Sequence, residues 1–160
     1  MLIYRLGTVR YPVWDGTGAA VRGGRWNPPG APVIYAAATQ SLAMLERLVQ
    51  GADLDGTVLV EAEVPDDLAF DDKLRSPPPG WTDVGSPSAR ATGAAWLAAG
   101  RTALLRVPSV VVPREANWAI NPAHPDAVRI RVGTPEKLTW DQRLFGIQAP
   151  TPVRPRTKPA

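Results

Sequence analysis

The pattern of apolar and polar positions along the chain predicts a series of short strands. Residues 2–6 and 32–36 are rich in β-branched or aromatic residues and lie among glycines and prolines, which is typical of strands. Residues 57–64 alternate between an apolar face and a face with two glutamates, which predicts a half-buried strand. Three further strands are predicted at residues 103–107, 109–112 and 127–132.

Two helices are predicted between these strands. In residues 40–50, leucine and valine recur at three- and four-residue spacing, and a glycine follows. Ser86 and the proline after it are a typical N-cap and first-turn pair, which predicts a helix that ends at Gly100. On the first helix Glu46 falls about 40° from Leu42, at the margin of the apolar stripe. We therefore expect its carboxylate at the edge of a cleft.

The order of these elements indicates an α+β fold. Strands and helices interleave without a regular βαβ rhythm, which favours a compact single domain with a mixed or antiparallel sheet. The glycine-rich segment between the first two strands is expected to be largely loop, and so are residues 71–85. A chain of 160 residues with 44% hydrophobic content has enough apolar side chains for one core.

The net charge comes from the end of the chain. It is +3 in total, and residues 147–160 carry Arg154, Arg156 and Lys158 without an acid, so residues 1–146 sum to zero. We expect a folded domain over residues 1–146 and a disordered, proline-rich basic tail over residues 147–160. A neutral body without a helix-turn-helix or RNA-binding signature disfavours a nucleic-acid partner.

Composition also limits the chemistry. The chain has no cysteine, and His124 is its only histidine, which excludes disulfides, thiolate nucleophiles and multi-histidine metal sites. We predict no metal and no cofactor. Arg5 and Arg10 interrupt the apolar N-terminus, and no stretch of about 18 apolar residues occurs, so we expect a cytoplasmic protein with no membrane segment. His124, in a loop, is interpreted as structural or as a substrate contact.

Several separated motifs resemble one known family. The segments YR (4–5), GGRWNPPGAPVIYAA (23–37), SLAMLE (41–46), VPS (107–109) and NWAINPAHPD (117–126) are similar in order and spacing to the RES domain of bacterial toxins. The resemblance covers roughly residues 2–132. It implies a fold like that of ADP-ribosyltransferase toxins, NAD as the substrate, and restraint by a cognate Xre-type antitoxin.

The resemblance also implies a set of site residues. Mapped by motif, the catalytic residues are Arg25, Tyr35 and Glu46, with Ser109 as a further site residue. The other residues predicted to bind the substrate are Arg5, Gly24, Trp26, Asn27 and Asn117.

The chemistry of NAD gives these residue types plausible roles. A guanidinium such as that of Arg25 binds phosphate oxygens in a bidentate way, and Arg5 offers a second phosphate contact. Cleavage of the nicotinamide N-glycosidic bond develops positive charge on the ribose, which Glu46 would stabilise. Tyr35 would stack on the nicotinamide ring.

Each of these residues also has a structural interpretation. Arg25 could pair with a structural acid, Tyr35 could belong to the core, and Glu46 could pair with Arg47 or Arg22 as a helix surface charge. Ser109 could satisfy backbone groups in a bulge. Core packing is the ordinary role of Trp26 and Trp118, and loop support is that of Asn117 and Asn121.

Three outcomes share the same bond cleavage and differ in the acceptor. Water gives ADP-ribose, phosphate gives ADP-ribose 1″-phosphate, and a protein side chain gives an ADP-ribosylated target. We favour an enzyme that degrades free NAD by hydrolysis or phosphorolysis, because one small domain shows no second surface for a protein acceptor. The alternatives are an ADP-ribosyltransferase that modifies a cellular protein and a non-catalytic nucleic-acid-binding module.

Overall fold

The computed structural model describes residues 1–51 and 54–146. The predicted basic tail, residues 147–160, lies outside the described residues. The strands are β1 (Leu2–Thr8), β2 (Ile34–Ala37), β3 (Thr57–Glu63), β4 (Phe70–Asp71), β5 (Leu104–Pro108), β6 (Ala116–Ile120), β7 (Arg131–Val132) and β8 (Glu136–Lys137). The helices are α1 (Thr17–Arg22), α2 (Gln40–Val49) and α3 (Pro87–Ala99), and 3₁₀ turns lie at Lys73–Arg75, Pro125–Arg129 and Gln142–Phe145.

All eight strands of the described chain join one mixed sheet. Its order is β4-β5-β6-β2-β1-β3-β7, with β8 also paired to β3. The pairs are antiparallel except β4 with β5, which is parallel. The predicted α+β class with a mixed or antiparallel sheet is therefore confirmed. None of the helices in residues 1–51 and 54–146 has the length and apolar character needed to cross a membrane.

The two predicted helices both form, and a side chain caps the N-terminus of each. The side chain of Thr39 caps α2 by accepting the Leu42 amide, and Ser86 caps α3 by accepting the Ala89 amide at 3.3 Å. α3 ends at Gly100, whose left-handed backbone (φ 56°) is favoured by glycine.

Two predicted strands are wrong. Residues 109–112 form a loop, because the Ser109 hydroxyl accepts the amides of Val111 and Val112 and turns the chain away from the sheet. The first half of residues 127–132 lies in the 3₁₀ turn Pro125–Arg129, and only the last two residues, β7, form a strand. His124 caps that turn, since its Nδ1 accepts the Asp126 amide at 3.1 Å, which gives this histidine a structural role.

The sequence pattern missed α1 and β6. α1 forms within the glycine-rich segment that was expected to be loop, and its six residues, which begin with Thr17 and Gly18, are too few to give a clear helix signal. β6 lies in the middle of the sheet between β5 and β2. Its short apolar run, with Trp118 and Ile120, is consistent with a buried strand, but the segment was interpreted only as a motif.

The sheet separates two apolar clusters. One cluster lies between the sheet and the Pro125–Arg129 turn and includes Ile3, Ile34, Leu104, Trp118, Ile120 and Ile130. The other lies under α3 and includes Trp26, Val33, Leu74, Trp96, Leu105 and Ala119. Trp26 and Trp118 are thus both core residues, as their structural interpretation expected.

Candidate active site

A cleft of about 770 Å³ opens among β1, β2, α1, α2 and the loop after β5. Its volume lies in the range usual for small-molecule and cofactor sites. Among the described residues that line it, Glu46 alone is acidic and four are arginines, namely Arg5, Arg22, Arg25 and Arg47. The cleft therefore favours an anionic ligand.

Two hydrogen bonds orient the Glu46 carboxylate. Oε1 accepts from the Ser109 hydroxyl at 2.8 Å and from Asn117 Nδ2 at 2.6 Å. Because the Ser109 oxygen already accepts the Val111 and Val112 amides, its single proton is directed to Glu46. Oε2 has no partner in the described part of the chain and is available to a ligand.

Arg25 is held by backbone carbonyls and not by an acid. Its Nη1 donates to the carbonyl oxygens of Trp81 at 2.6 Å and Asp83 at 2.8 Å. Those bonds use both hydrogens of Nη1. Nε and Nη2 have no partner among residues 1–51 and 54–146, and this edge of the guanidinium has the geometry that binds an oxyanion in a bidentate way.

Tyr35 supports the loop that carries Arg25. Its hydroxyl donates to Asn27 Oδ1 at 2.7 Å and accepts the Trp26 amide at 3.2 Å. Gly24 leaves room for this arrangement, because a Cβ there would lie 2.8 Å from the Tyr35 hydroxyl. Burial raises the pKa of the Tyr35 phenol, which the nearby Trp26 amide and the charge of Arg25 only partly offset.

Arg5 connects the cleft floor to the loop after β1. Its guanidinium donates to the carbonyl oxygens of Val13 at 2.5 Å, Tyr35 at 2.7 Å and Asp15 at 3.2 Å. Burial lowers the pKa of this guanidinium, but arginine stays charged. Two of its five N–H groups are left over for a ligand, so a phosphate contact from Arg5 is compatible with its structural role.

Comparison of the chain with protein-family models identifies its family. The model of the RES domain matches residues 2–141. The chain belongs to the RES-domain family. A relative from Sphingobium sp., a Prs ADP-ribosylating toxin, is 42% identical over 141 residues, which is 82% of this chain and 86% of that protein. Toxin Res from Photorhabdus laumondii is 35% identical over 152 residues, which is 90% of this chain and 97% of that protein.

A solved structure shows the same fold. The M. tuberculosis MbcT-MbcA toxin-antitoxin complex matches with a TM-score of 0.67 and 21% sequence identity, over 91% of this chain and 86% of the matched chain. The family, the toxin class and the fold predicted from the sequence are thereby confirmed. The prediction of an enzyme that acts on NAD agrees with the name of the Sphingobium relative.

The RES-domain cleft brings most of the predicted site residues together. Ser109 and Asn27 do not line it; Ser109 lies behind Glu46, and Asn27 is fully buried. The Asn27 amide nitrogen donates to the carbonyls of Ala19 in α1 and of Pro28 and Ala31, and its Oδ1 accepts from Tyr35, so its observed contacts hold the loop to its neighbours. The predicted residues that do line the cleft are Arg5, Gly24, Arg25, Trp26, Tyr35, Glu46 and Asn117.

Sequence reasoning missed several residues that build this RES-domain site. Arg22 and Arg47 were considered only as ion-pair partners for Glu46, yet both line the cleft. Trp81 and Asp83 hold Arg25 through backbone carbonyls, which carry no side-chain signal in a sequence. Arg90 donates to the Gly24 carbonyl from α3, and no spacing pattern connects these two positions.

Replacing Tyr35 by phenylalanine is expected to change how stability depends on pH. The phenol's folded-state pKa is raised above its unfolded value of about 10, so its stabilisation is complete below about pH 10 and is lost as the pH rises further. At pH 7 the variant should be less stable by about 1–3 kcal/mol, because Asn27 Oδ1 and the Trp26 amide lose their partner.

Urea unfolding between pH 7 and 11 measures this effect, and the gap between wild type and Tyr35→Phe should narrow as the pH rises above about 10. Burial and Glu61 also raise the pKa of Tyr4, so the variant still loses some folding stability at alkaline pH. Tyr11→Phe, at an exposed position, is the control. A gap that stays constant over the whole pH range would contradict the assignment to Tyr35.

Ser109→Ala is expected to affect both stability and turnover. The variant leaves two backbone amides and one Glu46 oxygen without the hydroxyl, which costs about 1–3 kcal/mol of unfolding free energy. Turnover should fall about tenfold, since the carboxylate keeps Asn117 alone as its anchor. Ser41→Ala, at an exposed position on α2, should change neither quantity. Wild-type turnover in folded Ser109→Ala would show that Asn117 suffices to orient Glu46.

Proposed function

We propose that this RES-domain toxin consumes NAD by cleaving the bond between nicotinamide and ribose. The observation that carries the proposal is the Glu46 carboxylate, anchored through Oε1 with Oε2 unoccupied, in a cleft whose other charged lining residues are arginines. A dinucleotide needs this combination, because it presents an anionic pyrophosphate at one place and a developing cation at another. The setting we propose for the reaction is the cytoplasm.

The proposed reaction divides the site into two parts. Arg25, with Arg5 as a second contact, binds the pyrophosphate, and Tyr35 lies at the cleft wall beside the nicotinamide. The N-glycosidic bond breaks with its electron pair going to the nicotinamide nitrogen, which becomes neutral. The ribose C1″ is left as an oxocarbenium ion, and the charge of Glu46 stabilises the transition state that leads to it.

Water then forms the new bond to C1″ and releases one proton to the solvent, whereas phosphate forms that bond through an anionic oxygen without loss of a proton. With water the product is ADP-ribose, and with inorganic phosphate it is ADP-ribose 1″-phosphate. We favour these small acceptors over a protein, since the four cleft arginines suit phosphate as well as the dinucleotide.

Modification of a cellular protein is the second candidate. The observation that favours it is the name of the Sphingobium relative, a Prs ADP-ribosylating toxin. Both candidates use the same bond cleavage at Glu46 and differ in the group that attacks C1″.

Nicotinamide release from NAD by the purified toxin tests the proposal. We expect release without any added protein, with ADP-ribose as the product in phosphate-free buffer and a share of ADP-ribose 1″-phosphate when phosphate is present. Release only in the presence of a cell extract, with labelled ADP-ribose transferred to one protein band, would favour the second candidate. A folded protein that releases no nicotinamide under either condition would contradict both.

We further propose that an Xre-type antitoxin restrains the toxin by filling the cleft. The cleft lining includes the exposed apolar side chains of Val49 and Val110, together with the four arginines. A partner segment with apolar residues and an acidic side chain or a terminal carboxylate would match this surface. The matched M. tuberculosis structure is itself a toxin-antitoxin complex.

Expression in a host cell, alone and with the neighbouring gene, tests this restraint. Alone, the toxin should arrest growth and lower intracellular NAD, and co-expression should restore both. Normal growth with soluble, folded toxin would contradict the toxin role. Simultaneous binding of NAD and antitoxin would contradict only the proposal that the antitoxin fills the cleft.

A further inference from the structure

We propose that Arg90, on α3, is a positioning residue for Arg25, because it fixes the backbone that presents the Arg25 guanidinium to the cleft. The proposal rests on the proposed function, in which Arg25 binds the phosphates of the dinucleotide. Arg90 is not one of the described residues that line the cleft. In this proposal it acts by positioning Arg25 and is not assigned a contact with the substrate.

One face of α3 holds the backbone on both sides of Arg25. Arg90 Nε donates to the carbonyl oxygen of Gly24, the residue before Arg25, at 3.2 Å. Gly93, on the same helix face, packs so closely that a Cβ there would lie 1.7 Å from the carbonyl oxygen of Trp26, the residue after Arg25. The peptide that carries Arg25 is thus fixed against a single helix.

The guanidinium end of Arg25 is held by the loop that leads into α3. Nη1 bonds the carbonyls of Trp81 and Asp83, as described above. The loop is itself fastened to α3, since the Ser88 hydroxyl donates to the Pro79 carbonyl at 2.8 Å. α3 and its entry loop therefore fix Arg25 at both ends and leave the Nε and Nη2 edge for the ligand.

Charge explains why an arginine suits position 90. A hydrogen bond from a charged donor is roughly twice as strong as one between neutral groups, so the Gly24 carbonyl is held firmly. Gly24 is a flexible residue, and its amide is held by the Asn27 carbonyl at 2.9 Å. Without Arg90 the Gly24 carbonyl would lose its bond, and only the amide of Gly24 would then hold the backbone just before Arg25. A displacement of about 1 Å in a substrate-binding group is enough to lower activity by up to two orders of magnitude.

A double-mutant cycle between Arg25 and Arg90 tests this proposal, with nicotinamide release from NAD as the readout. Arg90→Ala is expected to raise KM on the order of tenfold and to leave kcat nearly unchanged, because the bond cleavage at Glu46 is untouched. In the Arg25→Ala background the same change should add almost nothing, since the group it positions is gone. Arg90→Lys keeps a charged donor and should recover part of the wild-type KM.

Arg90→Gln retains most of the side-chain volume and serves as the second variant if the alanine variant does not fold. Arg101→Ala, at the exposed position after α3, is the control and should match the wild type. An unchanged KM in folded Arg90 variants, or KM increases that multiply in the double variant, would overturn the positioning role. Wild-type protein that releases no nicotinamide would overturn the proposed function and the positioning role with it, whereas wild-type turnover with unaffected Arg90 variants overturns only the latter.

Discussion

Glu46→Gln is expected to lower kcat for nicotinamide release by at least about 100-fold and to leave NAD binding nearly intact. Glutamine keeps a carbonyl oxygen that accepts from Ser109 and Asn117, so the anchored side of the group is preserved. The substitution removes the negative charge that the carboxylate presents to the ligand through Oε2. A neutral amide stabilises an oxocarbenium ion poorly, so the effect should appear in the chemical step.

Single-turnover kinetics, together with NAD binding followed by tryptophan fluorescence, separates these two quantities. Glu136→Gln, on the exposed edge strand β8, is the matched control and should behave as wild type. A folded Glu46→Gln protein that turns over NAD normally would contradict the electrostatic role of Glu46. Weaker binding with unchanged kcat would instead make Glu46 a binding residue.

Arg25→Ala is expected to raise KM on the order of 10- to 100-fold, because a charge-assisted, bidentate contact to the pyrophosphate is lost. Arg25→Lys should reverse little of this increase in KM. A single ammonium cannot bond the Trp81 and Asp83 carbonyls and also present a planar fork to the ligand. The two variants together therefore distinguish positive charge from guanidinium geometry.

Steady-state kinetics and equilibrium binding of NAD to the Arg25 variants check this prediction, with Arg101→Ala as the control for loss of an exposed positive charge. Full activity in Arg25→Lys would show that charge alone is needed. Wild-type KM in Arg25→Ala would place the pyrophosphate on the other cleft arginines.

Local signals in the sequence were sufficient for the helices α2 and α3 and for the position of Glu46 on α2. Apolar periodicity predicted α2 and placed Glu46 at the margin of its buried face, and in the structure Glu46 lies on the cleft wall. The Ser86 cap and Gly100 predicted both ends of α3. These features depend on residues within one or two helical turns, so a short stretch of sequence is enough to predict them. The order and spacing of the motif segments predicted the family, because they too are properties of the sequence alone.

Only the tertiary structure decided how the site is assembled. Ser109 and Asn117, which orient Glu46, lie 63 and 71 residues away along the chain, and the carbonyls that hold Arg25 lie 56 and 58 residues away. Residues 109–112 have strand-like composition, yet the Ser109 hydroxyl bonds two amides there and turns the chain so that it also reaches Glu46. Local periodicity reports which face of an element is apolar, but it does not report which distant backbone groups will meet that face. The pairing of β6 with β2 brings Asn117 to Glu46, and the packing of the loop before α3 brings the Trp81 and Asp83 carbonyls to Arg25, so both orientations depend on tertiary contacts.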